Sequence, residues 1–345
     1  MKKINLEPPG AYVESPLNYL IPKIKSNSYF YSNGHANLIE RLRVKVHSEI
    51  ETCNLLWEKF SKKNSLFDLW DFRYAWHQGY NYKPYFYTLY EGKKPIGFLP
   101  LCYNKVNKRY EWFGTNWTED CDFYVNDEKL IDLLLFIAPS PLHLNAVKGK
   151  YLNILSRFGK VKDDDKKNEK DITAYSSMNS IMSSFKKKYR YNLKNSYSHI
   201  QSLDPKVIHT EGKEGNLIDK LIDMNIKQFD TGIPEDESDL VIPERAKTYR
   251  EMVNNSGKTY ITKFIEVYIQ DTLAAIDFVL IHKDKYYTIK GGNEIAKFGG
   301  IGNYIIYLEF EDALKKGISK VNSLQVDYGW KHRYFDQTPL YVFEK

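Results

Sequence analysis

Hydrophobic and polar positions change period along this chain, and the changes come in the same order twice. In RLRVKVHS (41–48) Leu42, Val44 and Val46 alternate as in a strand, and EIETCNLLWEKFSKK then takes up helical spacing. Far downstream, KVIHTEGKEGNLIDKLIDMNIKQFD (206–230) repeats strand, then helix. A second helical segment follows each pair, LFDLWDFRYAWHQG (66–79) and PERAKTYREMVNN (243–255), the latter with Pro243 at a helix start. Hairpins come next: YFYTLYEGKKPIGFLPLCY (85–103) turns at Glu91-Gly92, and FIEVYIQDTLAAIDFVLIH (264–282) turns at Gln270-Asp271. A third strand candidate succeeds each hairpin, RYEWFG (109–114) and KYYTIKGG (285–292). This order predicts an internal duplication of strand, helix, helix and β-meander, matched in element order and not in residue identity.

Between the copies, DDDKKNEKD (163–171) reads as a solvated loop. NSIMSSFKKKYRYNLKNSYSHIQSL (179–203) reads as one long connecting helix, with Phe185, Tyr189, Leu193, Tyr197 and Ile200 on one face and Lys186, Lys187, Arg190 and Lys194 on the other. After the second meander the pattern predicts a Gly-rich turn, an amphipathic helix over about 302–316, a stop at Gly317, a strand over 319–326, and the cluster VDYGWKHRYF (326–335) before a last strand in PLYVFEK. The expected domains are an N-terminal extension (1–41), a first unit (42–177) and a second unit (178–345) that includes the connecting helix.

Composition narrows the class. The chain has 345 residues, 42% hydrophobic and 15% aromatic, which suits a folded protein with two cores. Its 28 tyrosines serve polar ligands as well as cores. LIDLLLFIA (130–138) is less than half the length that spans a bilayer, so it reads as a buried element and no membrane insertion is expected. The basic start MKK has no apolar run behind it, and the 3 cysteines (Cys53, Cys102, Cys121) lack metal-ligand spacing, so the chain reads as cytoplasmic with reduced core thiols and no metal. A net charge of +6 is compatible with anionic substrates and does not signal DNA binding.

Four places carry candidate chemistry. Lys297-Phe298-Gly299-Gly300-Ile301-Gly302, with Asn303 next to it, leads straight into a helix; unpaired N–H groups at the positive end of the dipole, without side chains in the way, suit a pyrophosphate. A chain reversal is the plainer alternative for these glycines. Asp277 lies in the apolar run AAIDFVL, where a lone carboxylate is costly; it either meets water across the pleat or lines a site, and alternation puts it on a face with Ala275 and Val279. Asp120 and Asp122 are candidates for the rim of a cleft between the halves, or plain loop residues. The basic residues around Arg190 are either a phosphate-binding face or a solvated one. No Gly-x-Ser-x-Gly elbow and no catalytic-looking Cys is present, and transfer of an acyl group to an amine needs neither, because the amine attacks directly.

Taken together, FKKKYRYNLKNS, DTLAAIDFVLIHKDKYYTIKGGN, GIGNYIIYLEFEDALKKGISKVN and YGWKHRYF resemble the GNAT acyltransferase superfamily. The similarity is to the branch of Fem-type peptidoglycan peptidyltransferases and CelD-like acetyltransferases, and SLFDLWDFRYAW and KPIGFLPLCY extend it over roughly residues 50–340. It implies an α/β (α+β) fold of two GNAT-like units, each a mixed, mostly antiparallel sheet flanked by helices. Lys-x-x-Gly-x-Gly is similar to the family's coenzyme A pyrophosphate signature, with Lys297 in place of its usual Arg or Gln. The resemblance also implies that Lys331, the Lys of the aromatic-Lys pair, lies near the acyl carbonyl as an oxyanion stabiliser. Tyr328 is then a candidate proton donor, Trp330 an apolar wall, and Asp327 and Arg190 acceptor contacts; His332 reads as a surface residue. The expected activity is N-acyl transfer from acyl-CoA to an amine of a sugar, amino acid or other polar metabolite, free or nucleotide-linked, in a cleft between the units. The alternatives are Fem-like aminoacyl transfer from tRNA, for which no heptad-rich arm is found, and a catalytically silent binding module.

Overall fold

Most changes of period become elements. The structure, a computed structural model, describes residues 20–32, 36–114, 118–213, 216–230 and 237–345; residues 1–19 and 33–35 of the expected N-terminal extension therefore lie outside the described residues. In chain order the first half holds helices α1 (Leu20–Lys25), α2 (Ser28–Ser32) and α3 (Ala36–Ile39), strand β1 (Leu42–His47), helices α4 (Ile50–Phe60) and α5 (Trp70–Tyr80), and strands β2 (Pro84–Glu91), β3 (Lys94–Asn104), β4 (Arg109–Trp112) and β5 (Tyr124–Val125). Helix α6 (Leu130–Ile137), β6 (His143–Lys148), α7 (Leu152–Leu155) and β7 (Lys160–Asp163) complete it. The second half holds β8 (Lys167–Asp171), α8 (Met178–Ser184), α9 (Lys187–Gln201), β9 (Lys206–Glu211), α10 (Leu217–Gln228), α11 (Pro243–Asn254), β10 (Ile261–Ile269), β11 (Thr272–His282) and β12 (Lys285–Asn293). Helix α12 (Ile301–Lys315), β13 (Lys320–Asn322), β14 (Asp336–Thr338) and β15 (Leu340–Glu344) follow.

Two compact units result: residues 1–62, 82–163 and 341–345 form one, and 63–81 and 164–340 the other. These limits differ from the expected boundary at 177/178. Helix α5 joins the second unit because Phe72, Ala75 and Trp76 are buried with Tyr249 and Met252 of α11 in one apolar cluster, and Asn255 donates to Gln78 at 2.8 Å. Strand β15 joins the first unit, between β6 and β7.

The first unit pairs its strands antiparallel in the order β1-β2-β3-β4, with β5 also on β3. LIDLLLFI is the buried helix α6, whose last turn is capped by Lys345: its ammonium donates to the carbonyls of Leu135, Phe136 and Ala138 at 2.8, 3.0 and 2.7 Å. All three cysteines are buried thiols. Asp122 is held by Lys148 at 3.1 Å and by the Tyr151 hydroxyl, an internal polar cluster of this unit.

The second unit has a seven-stranded sheet, β14-β8-β13-β12-β11-β10-β9, antiparallel except for β12–β13. Gln270 and Asp271 both take positive φ, 49° and 59°, the twist a two-residue hairpin turn requires. Ile276, Phe278 and Leu280 of β11 bury against α10 and α11, while Ala275 and Val279 bury on the side of α9 and α12.

Three expectations change. The run 163–171 is not all loop: its second half is β8, whose charges pair across the strands, Lys170 with Asp336 and Lys320 with Glu169, each at 3.3 Å. The long connecting helix is two, α8 and α9, separated where Phe185 is extended (ψ 151°), and both lie within the second unit. The strand expected at 319–326 stops at Asn322 because Leu324 and Val326 take positive φ, 61° and 60°, which turns the chain out of the sheet. For β-branched Val326 that is a strained conformation of the kind found at functional sites.

Candidate functional site

The segment from β12 into α12 begins the site. Phe298 is buried, and the N–H groups of Lys297 and Phe298 close a turn on the Glu294 carbonyl at 3.0 and 2.8 Å. Gly300 then takes φ 88°, and a Cβ there would stand 3.0 Å from Ser196 Oγ on α9, so both conformation and space call for glycine. Among the described residues the N–H groups of Gly302 and Asn303 have no acceptor, as the first turn of a helix leaves them. A Cβ at Gly299 or Gly302 would meet nothing within 4 Å, so this backbone faces open space. Lys297 is exposed with its ammonium 3.3 Å from Thr272 Oγ1. The Asn303 side chain is committed elsewhere, donating to Ser196 Oγ and accepting from the Tyr334 hydroxyl, both at 3.1 Å, which leaves only its main-chain N–H for a ligand.

Helix α9 packs against α12, with Tyr197 and Tyr307 rings 4.0 Å apart. Its outer face is basic. Arg190 reaches the Ser183 carbonyl at 3.4 Å, and among the described residues Lys186, Lys187, Lys188, Arg190 and Lys194 make no ion pair.

The parallel ladder between β12 and β13 has three rungs and ends at Tyr287↔Asn322, where β13 itself ends, so the rest of β12 has no strand paired on that side among the described residues. On the α12 face of β11, opposite Gly291 of β12, sits Asp277, as the alternation predicted. Its carboxylate fills the room glycine leaves: a Cβ at 291 would stand 2.3 Å from Asp277 Oδ1. The partner is Glu309 of α12, 3% exposed, within hydrogen-bonding reach. Burial raises Asp277 to about 7, against the lowering effect of its bond to Glu309. Burial, then the Asp277 charge, raises Glu309 well above the carboxylate range, with the Lys331 charge acting against them. Two carboxyls this close hold one proton between them near neutrality, the condition of a general base.

Lys331 is 6% exposed on a single 3-10 turn, Lys331–Arg333. Its ammonium donates to the Gln325 carbonyl at 2.7 Å, the residue between the two positive-φ positions, and lies 5.5 and 6.0 Å from the centres of the Tyr328 and Trp330 rings. Of the residues singled out in the sequence, Asp277 bonds to Glu309, and the Lys331 charge acts on that same Glu309. Tyr328 is 72% exposed, a ring beside the ammonium at the surface. Trp330 is partly buried against Phe335. Asp327 accepts from His332 Nδ1 at 2.5 Å and from the His332 N–H at 3.2 Å; burial pushes it up, but these bonds hold it below the usual carboxylate range. Asp327 and His332 therefore brace the turn that presents Lys331, a pairing not anticipated from the sequence.

Sequence reasoning missed Glu309 and, on the other face of the sheet, Asp239, which Lys290 reaches at 2.6 Å and Arg245 at 3.6 Å, with Arg245 stacked 4.9 Å from the Trp76 ring. Spacing held a signal for the first: Ile305, Glu309 and Asp312 recur at helical intervals on the buried side of α12.

Among the described residues no helix is long and apolar enough to cross a membrane, and no group of His, Cys, Asp and Glu has the makings of a metal site. No curated protein matches the sequence. Residues 187–332 match the family model described as an acetyltransferase (GNAT) domain. Among solved structures, a conserved protein of unknown function from Bacteroides thetaiotaomicron is similar at TM-score 0.57 and 11% identity, over 87% of this chain and 99% of that one. A tandem GNAT protein from the clavulanic acid biosynthesis pathway is similar at TM-score 0.54 and 7% identity, over 88% and 98%. FemX is similar at TM-score 0.53 and 11% identity, over 87% and 96%. Residues 187–332 are thus similar to a GNAT acetyltransferase domain, and the chain shares its fold with FemX and with the tandem GNAT protein.

Proposed function

We propose that this protein is an N-acyltransferase that moves an acyl group from an acyl-CoA to an amine of a sugar, amino acid or other polar metabolite. One observation carries the reading: an open glycine turn with unpaired N–H groups leads into α12, whose Glu309 pairs with Asp277 and feels the charge of Lys331. Gly299, Gly300, Gly302 and the Asn303 N–H hold the pyrophosphate, with Lys297 as a nearby point charge. The donor supplies an activated carbonyl. Asp277 and Glu309 take the proton the acceptor amine must lose, Lys331 offers a positive charge to the developing oxyanion, and Tyr328 is a phenolic donor at the mouth of the site.

A second reading, transfer of an aminoacyl group from tRNA, draws on the unpaired basic face of α9 around Arg190 beside the same turn. Calorimetry with acetyl-CoA, longer acyl-CoAs and charged tRNA separates the two. Gly302→Val is the internal control, because its side chain enters space that no protein atom occupies. The expected result is thioester binding that this variant weakens at least ~10-fold, about 1.4 kcal/mol. If no thioester binds at millimolar concentration while charged tRNA does, the acyl-CoA reading fails.

A further inference from the structure

Asn303 is the third residue of α12, where a helix leaves the main-chain N–H for a ligand, and its side chain is engaged inside the unit. Nδ2 donates to Ser196 Oγ of α9, and Oδ1 accepts from the Tyr334 hydroxyl, both at 3.1 Å. Both partners belong to segments that matter. Ser196 Oγ is the atom a Cβ at Gly300 would meet at 3.0 Å, so Ser196 packs against the glycine turn as well. Tyr334 is 3% exposed and closes the turn that carries Lys331: its N–H and that of Phe335 both donate to the Lys331 carbonyl, at 3.0 and 2.9 Å. One amide side chain therefore lies between the proposed pyrophosphate turn and the turn of the proposed oxyanion residue.

The rings around Tyr334 bury it without aiming it. It meets Phe185 edge-on at 5.3 Å and Tyr189 at 6.5 Å, and Tyr189 also meets His332 edge-on at 6.2 Å. Such contacts are spread over many atoms and tolerate small slides, whereas a hydrogen bond weakens steeply once its length or angle departs from the optimum. Burial, with the Arg333 charge acting against it, raises the pKa of the Tyr334 hydroxyl, which keeps the proton it donates. An amide suits the middle position because it gives and accepts at once, and because it brings no negative charge to a turn meant for phosphates.

We propose that Asn303 and Tyr334 are positioning residues for Lys331, and that a donor bound at the N–H groups of Gly302 and Asn303 steadies the Lys331 turn through them. The inference deepens the acyl-transfer reading and rests on it for the donor. A pyrophosphate held by the Asn303 N–H restrains that residue's backbone; the side chain follows, and with it the bond to Tyr334. The ammonium is then fixed for the oxyanion only when a donor is present to generate one. Linkage makes the effect reciprocal, so a steadier Lys331 turn also binds the donor more tightly. Neither side chain touches a reacting atom.

Hydrogen exchange of the whole protein, read at the Tyr334 and Phe335 amides, tests the link with and without a donor. Without one, Tyr334→Phe, which deletes only the hydroxyl, and Asn303→Ala should each speed exchange at both amides about 2- to 10-fold, the worth of one neutral hydrogen bond, with β10 and β11 unchanged. Where Asn303→Ala fails to fold, Tyr334→Phe decides alone, and wild-type rates in it overturn the link. Saturating coenzyme A should slow both amides in wild type and leave them unslowed in Tyr334→Phe; equal slowing in the two proteins overturns the donor's part. In turnover, Tyr334→Phe should lose ~10-fold in the wild-type background and nothing further in Lys331→Met, because it acts through that ammonium. An equal loss in both backgrounds overturns the positioning role. A protein that neither binds coenzyme A nor transfers an acyl group fails the acyl-transfer reading and the donor's part with it, while exchange in the unliganded variants still decides the Asn303–Tyr334 link.

Discussion

Asp277→Asn offers a test in which stability and activity move in opposite directions. An aspartate in an unfolded chain titrates near ~3.9, and Asp277 in the fold is raised to about 7. Between those values the native state keeps a proton that the unfolded state has released. Unfolding therefore loses protons, and wild-type stability falls as pH rises from about 4 to about 7. At ~1.4 kcal/mol per pH unit over ~3 units, the loss approaches ~4 kcal/mol, a ceiling for a pair that shares its proton. Asparagine has nearly the same shape, keeps a donor and an acceptor toward Glu309, and does not titrate. The variant should match wild type near pH 4.5 and exceed it at pH 8 by up to ~4 kcal/mol, while turnover falls ~100-fold or more through loss of the base. Urea unfolding of both proteins across this range, read as the midpoint at constant m-value, measures the difference. An equal gap between the two proteins at pH 4.5 and pH 8 would refute the claim that the folded carboxyl carries the proton.

The remaining expectations concern single contacts. Lys331→Met should lower kcat by ~100-fold or more while donor affinity stays near wild type, read by thiol release and calorimetry; equal losses of both would make Lys331 a structural residue. Gly291→Ala places a Cβ 2.3 Å from Asp277 Oδ1, so it should displace the carboxylate and shift the acid limb of the pH–rate profile, whereas an unchanged limb would take Asp277 out of the chemistry. Lys345→Met leaves three helix-end carbonyls without their donor and should cost about 1–3 kcal/mol in denaturant unfolding without altering donor binding in the other unit.

The parts legible in the sequence are those set by local pattern. The meander of β10, β11 and β12 follows from alternation and turn chemistry, and so does the face that Asp277 occupies. The glycine turn was readable because Gly299, Gly300 and Gly302 stand where an apolar helical period begins. Glu309 was hidden because its neighbours Leu308 and Phe310 make the run look uniformly apolar, and its meaning arises only when β11 brings Asp277 across from it. Strand β8 reads as a solvated charge run because its stability comes from partners far along the chain, Lys320 and Asp336. Asp327 and His332 form a contact pair across a turn whose shape depends on positive φ at Leu324 and Val326, which no hydropathy pattern encodes.

The chain crosses between its two units four times, after residues 62, 81, 163 and 340. On a ribosome this imposes an order: the first unit lacks the central strand of its three-stranded sheet until residue 344 has emerged, although most of that unit is synthesised before residue 164. The second unit, complete except for α5 within a single stretch, can form first and hold α5 from the earlier segment while the first unit waits. Neither unit can be excised by one cut, so half-chain expression is expected to yield insoluble fragments, and any search for an ancestral single-unit relative has to allow for circularly rearranged ends.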